Sequence, residues 1–408
     1  MIGAGVLNLG FQLVAAREMH PVLYGAFAAV VALINIFLFA TDAFRRTVTA
    51  VVAAIDRLAP ALWVLRRGTA WMLAAGVVAA VVIGLLSHPI AAALRLNQPI
   101  WVWIAAVALV PAYTGAVSTG VLQGLRLFRE SGGVNLSAAV VKFGVLVALL
   151  GLGLGVTGGT IATVTEVTMI WVGGLVVLFG WVLRRQRPEA PAAGPDYRAL
   201  LALPVTLTIA RLLFFNVDIL LARVYLAPHA AGLFAGLRVT GSIIAYGTGA
   251  LPPVIYPYLI RERGNPGLAV RYLSLILAAT VVSGGAVIGI FRLAPAAIVG
   301  HLFGSDFTAI APYVVPYGFA YLFYSVAYVL IHYLLAVESW WLWAYALGGG
   351  AAEVLGLVLW HADIAQFTWV VFGFFALFLA ASGVHVGVDV ARRRIRPTGR
   401  GAAAPSGA

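Results

Sequence analysis

Apolar runs of about twenty residues dominate the chain, broken by clusters of arginine, proline and glycine. Twelve are read, near 1–16, 21–44, 68–93, 99–124, 134–152, 158–183, 199–222, 229–259, 268–291, 308–335, 340–360 and 364–388. A helix needs roughly 20 apolar residues to cross a bilayer, so each run predicts one transmembrane helix. The first run is short for a crossing; either the helix crosses with little tilt or, as expected here, the true start lies upstream of Met1. A basic n-region is missing from Met1 to Gln12, so no cleavable signal is expected. The longest polar stretch between runs, RRQRPEAPAAGPDYR at 184–198, has linker composition and separates six runs from six. The expected fold is therefore all-α and polytopic, with a six-helix lobe over 1–184, a linker over 185–198 and a second six-helix lobe over 199–391. A disordered basic tail over 392–408 follows.

Composition sharpens this picture. Hydrophobic residues make up 62% of the chain and charged residues 10%, against about 25% charged in soluble domains. That leaves too little polar surface for a water-soluble globule. There is no cysteine, which removes disulfides and thiolate metal sites. The net charge of +12 has a topological reading rather than a nucleic-acid one. With the N-terminus placed inside, nineteen arginines fall in inner segments and four (Arg17, Arg95, Arg223 and Arg292) in outer ones. The positive-inside bias then puts both termini in the cytoplasm of a cell membrane protein.

The halves echo each other. Ala16-Arg17 aligns with Ala222-Arg223, and Pro21, Gly25 and Phe27 with Pro228, Gly232 and Phe234, at offsets of 206 to 207. Pro111 and Pro316 keep nearly that register, as do Glu130 and Glu338. An even number of spans per lobe makes this a parallel repeat around a central cavity. The Arg-then-Pro-x3-Gly phrase reads as a tight outer turn, with proline opening the second helix and glycine allowing close packing.

These phrases, with VLQGLRLFRES at 121–131 and Asp218 in the first helix of the second lobe, resemble the polysaccharide-precursor flippases of the multidrug/oligosaccharidyl-lipid/polysaccharide exporter superfamily. The resemblance covers the whole chain in span count and lobe division. It implies alternating access, with a lipid-linked oligosaccharide moved from the inner to the outer leaflet. Two features depart from it: the first helix is short, and span 1 has no acid matching Asp218, so the lobes are not functionally equivalent.

An ionisable group inside a span costs about 2.5 kcal/mol or more and faces a cavity or a partner. Lys142, Glu166, Arg211, Asp218, Arg238 and Glu353 are such groups. Two readings stand. Either they pair, Lys142 with Glu166 and Arg238 with Asp218, or Lys142, Arg211 and Arg238 line a cationic cavity for a diphosphate, which the arginine fork suits. Asp218, with Glu353 and Glu166 behind it, is a candidate for H⁺ or Na⁺ coupling. Asp42, Arg45 and Arg46 at the inner end of span 2 anchor to headgroups or form a cytoplasmic gate. In span 10, Tyr313, Tyr317, Tyr321, Tyr324 and Tyr328 lie on one helical stripe, for packing or for facing sugar. Pro111 and Pro316 are expected to kink their helices.

Missing motifs narrow the chemistry. No GxxxxGK[ST] is present, and GLGLGVTGG at 151–159 reads as turn and packing glycines. No HExxH occurs and the seven histidines are scattered, so neither a metal nor a cofactor is expected. Three functions remain: a flippase for lipid-linked oligosaccharide, an ion-coupled drug or metabolite antiporter of the same superfamily, or a membrane enzyme acting on lipid-linked sugars. Outer loops of at most about 17 residues disfavour the third. A functional monomer is expected, in contact with membrane lipids and with a polysaccharide polymerase or glycosyltransferases as further partners.

Overall fold

The computed structural model describes residues 2–55, 58–184, 216–248, 266–336, 341 and 344–395. They form fourteen α-helices: α1 (Ile2–Glu18), α2 (Pro21–Ile55), α3 (Leu58–Leu85), α4 (Ser87–Ala93), α5 (Ile100–Gly124), α6 (Phe128–Gly151), α7 (Gly155–Arg184), α8 (216–225), α9 (Pro228–Thr248), α10 (Pro266–Leu293), α11 (Pro295–Phe303), α12 (Ala311–Ala336), α13 (Gly349–Leu359) and α14 (Ile364–Ile395). Among the described residues nine helices are long and apolar enough to cross a membrane. The chain is a multi-pass, all-helical membrane protein. At 1.5 Å per residue α1, with 17 residues, spans about 26 Å and is short for a hydrocarbon core of roughly 30 Å.

Several helices run past the bounds read from the sequence, α2 to Ile55, α3 back to Leu58 and α14 to Ile395, and two departures lie at prolines. The third run was read as continuous to residue 93, but the helix turns at Leu86 and restarts as α4. Pro89 has no N–H to return to the carbonyl four residues back, so the ladder breaks there. Pro295 likewise opens the short α11, which was read as loop. Pro111 and Pro316, by contrast, lie inside α5 and α12.

Two compact units emerge: Met1–Gly236 with Leu302–Phe307, and Leu237–His301 with Thr308–Ala408. In the first unit α5 is the central helix, packing against α2, α3 and α7. Its Gly120 and Gly124 sit four residues apart on the face toward α2. A Cβ on Gly120 would lie 2.9 Å from the Arg45 carbonyl, and one on Gly124 would lie 2.6 Å from the Val52 Cβ. Small residues at this spacing let two backbones approach. In the second unit α12 packs against α10 and α14.

The echoing turns meet inside the first unit. Each has the same backbone pattern: Met19 N–H donates to Ala15 and Tyr24 N–H to His20, while Leu226 N–H donates to Ala222 and Ala231 N–H to Ala227. Every one of these positions is related by 207 residues. The turns pack through their glycines: a Cβ on Gly25 would lie 2.8 Å from Gly232 Cα, and one on Gly232 would overlap the Pro21 carbonyl group. Only hydrogen fits at either position.

A methyl group at residue 232 therefore forces the two turns apart. Gly232→Ala should lower stability to unfolding in detergent by about 1–3 kcal/mol, the usual cost of overpacking. Gly247→Ala, in the same helix with nothing within 4 Å of the added carbon, should leave stability unchanged or slightly raised.

Candidate functional site

α6 and α7 form an antiparallel hairpin whose turn uses left-handed glycines, Gly153 at φ 75° and Gly155 at φ 41°. Lys142 and Glu166 stand equally far from residue 154, so the hairpin sets them opposite each other. Nine residues of α6 and eleven of α7 put the pair about 14–17 Å from the turn, near mid-depth of a bilayer core of roughly 30 Å. Lys142 Nζ donates to Glu166 Oε2 at 2.6 Å and to Asn8 Oδ1 of α1 at 2.9 Å. It also lies 4.1 Å from the centroid of the Phe11 ring, within cation–π range. The side chains are 9% and 17% exposed. Of the two sequence readings for this pair, the structure adopts the ion pair, and it adds Asn8 and Phe11, which periodicity alone did not single out.

The second charged cluster lies on α2, 21 to 25 residues past Pro21. Asp42 accepts Arg45 Nε at 3.0 Å and Arg46 Nε at 2.9 Å. Arg45 also donates to Gln123 Oε1 on α5, and Gln123 Nε2 reaches Ser131 Oγ on α6 at 3.4 Å. One carboxylate thus orients two guanidiniums and ties three helices together. The Arg46 side chain remains 45% exposed.

Asp218 is buried on α8, its carboxylate accepting the Ile219 N–H at 2.8 Å. One and a half turns on, Arg223 is buried too. It donates through Nε to the Leu94 carbonyl and through a terminal nitrogen to the Arg95 carbonyl, both at 2.9 Å, and to the Pro228 carbonyl at 3.2 Å. Arg95, in the left-handed region at φ 48°, returns a bond to the Leu226 carbonyl at 3.1 Å. Arg223 thus holds the backbone at Arg95 while Arg95 holds the backbone just past α8, and Arg223 caps the chain just past α4 where carbonyls lack helical partners. The sequence reading assigned Arg223 a turn role without its buried carbonyl contacts. It also paired Arg223 with Arg17. The turn hydrogen bonds set the register at 207, which puts Ala16 opposite Arg223. One residue is about 100° of helix, and Arg17 is accordingly exposed where Arg223 is buried.

Arg238, Glu353 and the tyrosine stripe belong to the second unit. Arg238 is half-buried on α9, and Glu353 is buried on α13. Arg211 lies outside the described residues. On the α12 stripe Tyr317, Tyr321 and Tyr324 are buried. Tyr321 and Tyr324 pack on Phe375 of α14 with centroids at 6.1 and 5.3 Å. Tyr328 is half-exposed, stacked on Tyr324 at 5.8 Å and set against His332 at 4.4 Å.

Neither a family model nor a curated protein sequence matches the chain. Solved structures do. The lipid II flippase MurJ in an inward closed conformation aligns at a TM-score of 0.69 and 11% identity, covering 97% of this chain and 88% of the flippase. An inward-facing multidrug resistance transporter of the MATE family, in the MOP superfamily, aligns at 0.65 and 11%, covering 96% of each chain. A Vibrio cholerae MATE transporter aligns at 0.64 and 14%, covering 96% of this chain and 95% of that one. The chain shares the two-lobe helical fold of these proteins.

Breaking a buried ion pair strands the remaining charge at a cost of about 3–5 kcal/mol, whereas replacing both partners by apolar groups is often neutral. Lys142→Met and Glu166→Leu should each destabilise the protein strongly. The double variant should recover most of the loss in a thermal-shift cycle.

Proposed function

We propose that this protein flips polyprenyl-diphosphate-linked oligosaccharides from the cytoplasmic to the outer leaflet by alternating access, for surface polysaccharide synthesis. The observation that carries this reading is the ammonium of Lys142, held at mid-helix against a carboxylate. A phosphate oxygen offers that ammonium the same chemistry as Glu166 does. Displacement of Glu166 frees the Lys142 ammonium for one charge of an arriving diphosphate, and the second charge falls to further cations. Arg211 and Arg238 are the further cations proposed to receive the diphosphate. Glu166, Asp218 and Glu353 are the acids proposed to couple the cycle to H⁺ or Na⁺.

The rest of the cycle follows from the same parts. The arginine asymmetry supports a cytoplasmic Arg45–Arg46 end, where the exposed Arg46 would meet the headgroup on entry. The turns that meet at Gly25 and Gly232 then lie at the outer face, closing it. Tyr328, half-exposed on its stripe, is a candidate to meet sugar. A shared fold with a lipid II flippase supports the reading, and nothing in it calls for catalysis. A second reading, an ion-coupled drug or metabolite antiporter, is favoured by coverage: the chain spans 96% of a MATE transporter against 88% of the flippase. In that case Glu166 would hold a cationic cargo and Lys142 would displace it.

In a host lacking the gene, supplying the intact protein should expose accumulated lipid-linked oligosaccharide to an outer-face probe. The Lys142→Met/Glu166→Leu double variant, matched for expression, should reduce that exposure about tenfold or more, the worth of one charge-assisted hydrogen bond. Full exposure with the double variant would remove Lys142 from the mechanism. Unchanged lipid-linked sugar with altered drug sensitivity would select the antiporter.

A further inference from the structure

α2 and α3 both pack on α5 and scarcely on each other. Val48 of α2 rests against Gly120, and Gly68 of α3 rests against Val117. A groove of about 230 Å³ opens between them. Its α2 wall is a stripe at helical spacing, Phe44, Val48 and Val51. Its α3 wall is another, Trp63, Arg67 and Trp71. Thr47 also lines the groove, but its hydroxyl donates to the Ala43 carbonyl at 3.1 Å and makes no further demand. Among the described lining residues Arg67 alone is charged. Its guanidinium lies 5.7 Å from the centroid of Trp63, and the two tryptophans are 51% and 66% exposed. Farther along, α3 exposes Val77, Val78, Val81 and Val82, so this side of the helix faces lipid.

We propose that the groove is a binding site for one anionic phospholipid, with an acyl-chain segment between the aromatic walls and the phosphate on Arg67. The volume falls below the roughly 300–1,000 Å³ of a pocket that encloses a drug-sized molecule, and it suits a stretch of a single chain. Tryptophans settle at the membrane interface, and the guanidinium fork matches phosphate oxygens. Arg66 beside it is exposed and adds to the positive field. An apolar slot ending in one cation selects a lipid by its headgroup charge. The site is separate from Lys142, which lies among α1, α6 and α7.

The test uses the full chain in phosphatidylcholine nanodiscs, doped with lipid brominated on its acyl chain. The difference in tryptophan quenching between the native protein and Trp63→Phe/Trp71→Phe isolates the groove. Brominated phosphatidylglycerol should quench that component at about one-fifth the mole fraction that brominated phosphatidylcholine requires, the weight of one arginine near an anionic surface. Arg67→Gln should abolish the gap, while Arg67→Lys and Arg129→Gln, at an exposed arginine away from the groove, retain it. Equal quenching by both lipids would make the groove ordinary lipid boundary and overturn the proposal, as would a gap that survives Arg67→Gln. Stronger quenching by a brominated polyprenyl diphosphate than by phosphatidylglycerol would assign the groove to transported lipid and overturn it as well.

Discussion

Hydrocarbon offers a polar atom no partner, so every donor and acceptor that enters the bilayer must be satisfied from within the protein. This constraint makes the backbone helical and governs the side chains as well. Thr114, Thr119, Thr160, Thr163 and Thr168 turn their hydroxyls back onto carbonyls of their own helices, as do Ser325 and Ser382. Lys142 cannot do so, and takes partners from two other helices. Arg223 satisfies its guanidinium on the carbonyls that proline-broken segments leave open. The charged residues thus sit where the helical ladder, or a neighbouring helix, supplies the complementary atom.

The same constraint explains what could be read from the chain in advance. Hydrophobic runs are dictated by solvent, so the all-helical, multi-pass architecture was legible from residue pattern alone; of the twelve runs read, nine helices among the described residues are long and apolar enough to cross a membrane. The Lys142–Glu166 pair was legible as one of two alternatives, because both residues are costly unless paired. The turn phrases were legible because proline and glycine act locally. The shared partners were not: Asn8 and Phe11 are ordinary residues in an apolar helix, and only the packing of α1 on the α6–α7 hairpin gives them a task. Arg223 was misaligned by one residue for a similar reason. Sequence similarity counts letters, whereas the turn hydrogen bonds fix rotation about the helix axis.

The two turns are alike in backbone and unlike in side chain. Their backbones bond alike at a constant offset, yet one carries a buried arginine and the other places its arginine outside. The structure retains the backbone geometry in both and assigns the clasp to one. A similar division separates the charged groups. The α6–α7 hairpin holds an ion pair, whereas α12 packs tyrosine rings against phenylalanine.

The contact between Gly25 and Gly232 has a mechanical consequence. It consists of backbone on backbone, with no long side chain to stretch or follow. Dispersion fades over a fraction of a nanometre, and a gap of 0.5–1 Å already forfeits about a quarter to a half of it. A joint of this kind is brittle: it resists small displacements stiffly and, once parted, exerts almost no pull. Its release is therefore a threshold event, and its two outcomes are separated by little more than the width of a methyl group.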